Sequence, residues 1–134
     1  MITIIILIIV GTIVFIVCAT YVFDKRKQTH KGLPREEFVR AFPGIPPEIP
    51  DAVYTYSTGS WFFRDLSVRP EDSYEAVLEK GEEDVDDDGK ILLKQLGFKL
   101  PPPQVLHEWD KPIITLADMV LWLDWIRRHQ NRLN

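Results

Sequence analysis

The sequence predicts an all-α protein: an N-terminal transmembrane helix followed by a small, irregular helical bundle. Three observations lead there. Residues Ile2 to Phe23 (ITIIILIIVGTIVFIVCATYVF) carry no charged side chain. Beyond them, apolar residues recur three and four apart in short stretches bounded by Pro, Gly and capping residues, which is the helical period. Strand-like patterning is confined to Val53–Thr58, where helix and strand compete. The expected organisation is an anchor over residues 1–23, a basic juxtamembrane linker over 24–33 and an acidic helical domain over 34–134.

As a helix rising about 1.5 Å per residue, the anchor spans roughly 33 Å, slightly more than the roughly 30 Å hydrocarbon core of a bilayer. Most of its residues are Ile, Leu, Val or Phe, each favouring insertion by roughly 0.3 to 0.6 kcal/mol near the midplane. Ile5, Ile9 and Phe15 are the expected membrane-anchoring side chains, and Tyr21 falls at the far interface, where an amphipathic ring is comfortable. Thr3, Thr12 and Thr20 are tolerated because their hydroxyls bond back to helix carbonyls. A cleaved signal peptide is the rival reading, with Val17-Cys18-Ala19 as a loose cleavage site. Against it, no cation precedes the apolar run, the run exceeds a signal's apolar region, and the cations follow it. Lys25, Arg26 and Lys27 form that collar, with Lys31 beyond. Positive residues stay cytoplasmic, so the expectation is a single-pass protein of the cell (inner) membrane, N-terminus outside and C-terminal domain in the cytoplasm.

The 134 residues leave room for one domain besides the anchor. Cys18 is the single cysteine and lies inside the apolar run, so no disulfide framework exists within the chain. Formal net charge is -4, and past Gly32 the acidic excess concentrates between Glu71 and Asp88. Such a domain repels phosphate backbones, which excludes nucleic acid as the expected partner.

Pro34-Arg35-Glu36-Glu37 opens the first helix of the domain, with proline at its first turn and two acids facing the positive dipole end. Phe38 and Phe42 share its face, and Pro43-Gly44 stops it. Ile49, Val53 and Tyr56 or Ser57 mark a second short helix, broken at Gly59. Trp61-Phe62-Phe63 reads as an aromatic core plug. Asp72 or Ser73 is placed to cap a helix running to about Lys80, with Tyr74, Val77 and Leu78 inward. After the acidic segment Glu82–Asp88, Asp87 or Asp88 caps a helix from Gly89 to Leu96, and Gly97 ends it. Pro101-Pro102-Pro103 forces an extended exit. Thr115 caps the last helix with Asp118 as its capping-box partner. Leu116, Met119, Val120, Leu123 and Ile126 form its stripe, and Arg127, Arg128 and Arg132 complement its C-terminal dipole. Trp122 and Trp125 lie off that stripe, through burial on two sides or through a partner surface.

One metal-like pattern stands out. Asp84, Asp86 and Asp88 recur at alternate positions, with Gly89 sixth and Ile91 eighth, like the opening of a calcium-binding EF-hand loop. The twelfth position is Gln95, an amide that cannot grip calcium with two oxygens. A solvated acidic turn capping a helix is the preferred reading, and a weak calcium-responsive domain the alternative. His30, His107 and His129 sit in no nucleophile or metal spacing and read as surface residues. No phosphate loop or nucleophile elbow is present, so the expectation is a protein that is not an enzyme.

Pro70-Glu71-Asp72-Ser73-Tyr74, Gly97-Phe98-Lys99-Leu100-Pro101 and Thr115-Leu116-Ala117-Asp118-Met119-Val120 occur in an order and spacing that resembles an acyl carrier protein. They resemble the approach to its prosthetic-group site, the end of its second helix and the threonine-capped start of its last helix. The chain is similar in particular to membrane-anchored bacterial domains related to carriers, which begin with a segment like Arg35-Glu36-Glu37-Phe38. The resemblance covers half to three quarters of the chain and implies a carrier-like helical fold. It also implies a phosphopantetheine-bearing serine at about Glu82, where the triplet is Gly81-Glu82-Glu83. A carboxylate cannot form that phosphodiester, so no phosphopantetheine and no other cofactor is expected. What the resemblance leaves is an acidic docking face, for which Glu79, Glu82, Glu83, Asp86 and Asp87 are the candidates. The expected function is a tethered, non-enzymatic domain that docks a basic protein partner at the membrane. The alternative is an accessory subunit of a membrane complex held mainly through its transmembrane helix.

Overall fold

The computed structural model describes residues 2–59 and 67–130, with the backbone alone at residues 2, 3 and 22–29. Among the described residues the chain is all-α, with six helices and no strand. It divides into two compact units, residues 1–31 and 32–134.

The first unit is a single helix, α1 (Ile2–Thr29). Its segment Ile4–Tyr21 is long and apolar enough to span a membrane. Ile5, Ile9, Phe15 and Tyr21 are all exposed on it. Thr12 Oγ1 donates to the Ile8 carbonyl at 2.8 Å and Thr20 Oγ1 to that of Ile16 at 2.9 Å, so both hydroxyls are satisfied within the helix. The helix passes Phe23 and includes Lys25, Arg26 and Lys27, where a linker was expected. No glycine or proline lies between Phe23 and Gly32 to stop the helix, and cations near a helix C-terminus are favoured by its dipole.

In the second unit, Pro34 (φ −58°, ψ 151°) leads into α2 (Arg35–Arg40). Phe38 and Phe42 pack with their rings tilted at 55° and centroids 5.5 Å apart. Gly44 then turns the chain at φ 85°, a left-handed conformation that costs glycine little. α3 (Glu48–Thr58) buries Ile49, Val53 and Ser57 on one stripe, so Val53–Thr58 is helix. Arg35 forks onto Asp51, tying α2 to α3 with Nη2 2.6 Å from Oδ2. That hydrogen bonding holds the Asp51 carboxyl below its ordinary pKa. Trp61–Phe63 and Arg132, assigned to a core plug and a helix end, lie outside the described residues.

Two expected elements differ. The helix over 72–80 does not form; Ser73 instead bridges Thr115 in antiparallel fashion. Tertiary hydrogen bonds take this backbone: Tyr74 N–H donates to Ile114 O at 2.9 Å, and the N–H groups of Leu116 and Ala117 donate to Asp72 O and Pro70 O. The Asp72 and Pro70 carbonyls satisfy donors in the first turn of the last helix, which begins at Leu116, and tertiary demand overrides local propensity. Asp72 caps a turn rather than a helix, accepting from Arg69 N–H at 2.7 Å. The second difference is the start of α4 (Glu82–Leu96), seven residues before Gly89. Asp84 accepts from Gly81 N–H at 3.1 Å, half of a capping box, which makes Gly81 the N-cap. Neither Asp87 nor Asp88 caps anything. At the other end Gly97 (φ 71°) and Phe98 donate to Lys94 O and Leu93 O, closing a Schellman motif as expected.

The extended exit reaches only Pro102 (ψ 156°), after which α5 (Pro103–Leu106) makes one turn. α6 (Leu116–His129) begins with a full capping box: Asp118 N–H donates to Thr115 Oγ1 at 3.2 Å, and Asp118 Oδ2 accepts from Thr115 N–H at 2.8 Å. Leu116, Met119, Val120, Leu123 and Ile126 are fully buried. Trp122 lies on Gly89, where an added Cβ would come 3.0 Å from the indole, and Trp125 packs on Trp109 at 5.8 Å. Both tryptophans are partly buried by these contacts, while Leu121 of the same helix is exposed. His129, expected at the surface, stacks on Trp125 at 4.2 Å. Arg127 and Arg128 converge on the buried Asp124 at 2.9 and 2.5 Å as well as facing the helix dipole. α3 packs against α2, α4 and α6, and α4 against α6.

Leu92, at the α4 contribution to the core, is fully buried. Leu92→Ala is expected to cost about 2–5 kcal/mol of stability and Thr115→Ala about 1 kcal/mol, measured by denaturant unfolding of the full chain in detergent.

Candidate functional site

The acidic run Glu82–Asp88 was expected as a turn and is instead the first two turns of α4. At 3.6 residues per turn, Val85, Asp88, Gly89 and Leu92 fall on one side and are buried, whereas Glu82, Glu83, Asp86 and Asp87 fall on the other and are exposed. The calcium loop therefore does not form. Asp84, Asp86 and Asp88 stand on a helix, where the side chain at i+2 points away from those at i and i+4, so the three cannot close round one ion. Asp84 caps the helix, Asp86 faces solvent and Asp88 is buried. No three metal-ligating side chains converge among the described residues.

Asp88 is the exception in the acidic run. Its side chain is 7% exposed and forms an ion pair with Lys80, itself 23% exposed. Its other oxygen accepts from the Tyr56 hydroxyl at 2.8 Å. The Lys80 ammonium also sits over the Tyr56 ring, 5.2 Å from its centroid. Three segments meet at this carboxylate: α3 through Tyr56, the irregular turn after Ser73 through Lys80, and α4 through Asp88 itself. Burial, reinforced by the hydrogen bond to Asp88, pushes the Tyr56 phenol up to about 12. Burial pushes Tyr74 up as well.

Beside this cluster lies a groove of about 840 Å³. The turn around Ser73–Gly81, the first two turns of α4, and the stretch from Leu106 to Ile114 form its walls. Val85, Leu106, Trp109, Ile113, Ile114 and Trp122 give it an apolar surface. Glu75, Glu79, Glu82 and Asp86 supply its acids. Glu79 adopts φ 55°, an uncommon conformation for a residue with a Cβ, at the point where the chain turns into α4. The Trp109 indole N–H is buried with no hydrogen-bond partner among the described residues.

Of the candidate docking residues, the structure brings Glu79, Glu82 and Asp86 to this groove, while Glu83 and Asp87 lie one step round the helix and do not line it. Asp87 pairs with Lys90 at 3.4 Å, an exposed contact of small energetic weight. The groove's apolar walls were missed because they come from segments far apart in sequence. The lone lysine Lys80 beside Gly81 carried no signal of its buried partner. Chemically, the arrangement offers negative potential next to an apolar surface. No family model, curated protein sequence or solved structure matches the chain.

The raised Tyr56 pKa has a sign. Its ionisation disfavours the folded state, so the stability associated with the neutral phenol is complete below about pH 10, the unfolded value, and declines as pH rises toward 12. Spectrophotometric titration of the phenols is expected to show one step near pH 12 that Tyr56→Phe removes, with a shallower alkaline loss of stability in the variant.

Proposed function

We propose that the chain is a non-enzymatic single-pass membrane protein whose acidic, carrier-like domain faces the cytoplasm and docks a basic protein partner. The observation that carries this reading is the division of labour on α4. The fold uses Asp84 as a cap and Asp88 as a buried ion-pair partner. Glu82, Glu83 and Asp86 are exposed and form no ion pair among the described residues. Carboxylates clustered without cationic partners raise the on-rate and selectivity for a basic surface.

The anchor supports the same reading. An apolar helix whose last turns carry Lys25, Arg26 and Lys27 supports a cytoplasmic domain by the positive-inside bias, and with it a location in the cell (inner) membrane. Tethering raises the effective concentration of the docking face toward partners at that membrane. In a carrier-like helical fold, Glu82 at the start of α4 takes the place of an attachment serine, which leaves the helix a surface for recognition rather than for a prosthetic group. Neither phosphopantetheine nor another cofactor enters this proposal.

Two variants separate this function from an accessory subunit held through its membrane helix. The protein is purified in mild detergent as wild type, with residues 2–23 replaced by an unrelated apolar helix, and with Glu82, Glu83, Asp86 and Asp87 changed to lysine. The expected outcome is that the same basic partner remains with the anchor-swapped chain and is lost from the charge-reversed one. The opposite pattern identifies the membrane helix as the contact. A reporter fused after Asn134 is expected to be active only in the cytoplasm, and activity only outside contradicts the orientation.

A further inference from the structure

We infer that the groove beside α4 is the reading site of this domain, and that its occupant is a basic, amphipathic peptide segment of a protein partner. This rests on the proposed docking function and narrows it to one half of the acidic surface. The residues of the groove divide cleanly by chemistry. Ile114 is 55% exposed at its wall, and Val85, Leu106, Trp109 and Trp122 continue the apolar surface inward. Of the two lining lysines, Lys80 is neutralised by Asp88. Even without Glu79, the acids Glu75, Glu82 and Asp86 outnumber Lys111 around the groove.

That pairing selects an occupant. A purely polar cation gains little from a wall of Ile and Trp, whereas an apolar side chain inserted there removes that surface from water. The acids repel anionic headgroups and phosphate backbones, which leaves a protein segment rather than a lipid or nucleic acid. A short helix laying apolar residues at i, i+4 and i+7 into the groove, with lysines or arginines on its flanks, meets both demands. Glu82 and Asp86 line the same groove as those apolar side chains and supply the charge that flanking cations need. Glu83 and Asp87, outside the lining, contribute attraction at longer range only.

The test uses the full chain in detergent micelles and three synthetic peptides of about fourteen residues, roughly 21 Å as helices. One is amphipathic, with Leu and Trp on one face and Lys on the other. The second scrambles that order, and the third keeps the lysines but replaces the apolar residues with Ser. Saturable binding of the first is expected, read by isothermal calorimetry, with affinity at least about tenfold above the other two. Ile114→Asp, at an exposed position, and the paired substitution Glu82→Lys, Asp86→Lys are each expected to weaken it by about tenfold or more. The pair Glu83→Lys, Asp87→Lys is expected to weaken it less than Glu82→Lys, Asp86→Lys does. Equal binding of the lysine–serine peptide, or full binding by Ile114→Asp, overturns the groove as the reading site. If partner capture from membranes also survives Ile114→Asp but not the four-residue charge reversal, the docking function stands and only the groove assignment falls.

Discussion

A carboxylate withdrawn from water has to be paired, and Asp88 is paired twice. Lys80 neutralises it and Tyr56 donates to it, and these two partners arrive from different segments of the chain. Leaving such a group without its partner costs about 3–5 kcal/mol, a large fraction of the stability of a domain this size. The pairing therefore fixes the rotation of α4 about its own axis. With Asp88 inward, Val85, Gly89 and Leu92 must also face inward, and Glu82, Glu83, Asp86 and Asp87 must face out. Gly89 then meets Trp122 of α6 closely enough that an added Cβ would lie 3.0 Å from the indole and press on it. The acidic surface of the domain is thus a consequence of one buried ion pair and one close helix contact.

The same constraint places the groove. Lys80 reaches Asp88 from a turn whose backbone is committed elsewhere: Tyr74 to Ile114, Asp72 to Leu116 and Pro70 to Ala117. Those hydrogen bonds hold the turn against the start of α6 and leave a gap between it, α4 and the segment from Leu106 to Ile114. Function is proposed to live in that gap because its walls pair apolar side chains with acids.

Much of this was legible in the residues. The apolar run of α1, the Thr115–Asp118 capping box, the Gly97 ending and the stripe from Leu116 to Ile126 are local signals that tertiary structure did not disturb. The misreadings share one cause. Asp72, Ser73, Asp84, Asp87 and Asp88 are all residues that cap helices or bind cations, and their roles depend on what lies near them in space. Asp84 turned out to be the cap and Asp88 the core residue. The likeness of Asp84–Gly89 to a calcium loop dissolved because helical backbone turns alternate residues away from one another. Of the acidic candidates, sequence alone could not divide Glu82 and Asp86 from Glu83 and Asp87, since that division requires knowing which wall stands opposite.

The orientation of α4 by its buried pair is the claim on which the acidic face, the groove and the proposed docking all depend. A double-mutant cycle at Lys80→Met and Asp88→Leu, followed by denaturant unfolding of the full chain, tests it most directly. The account predicts a coupling of about 1–3 kcal/mol, with the double variant losing much less stability than the sum of the two single ones. Additivity within about 0.5 kcal/mol would contradict it.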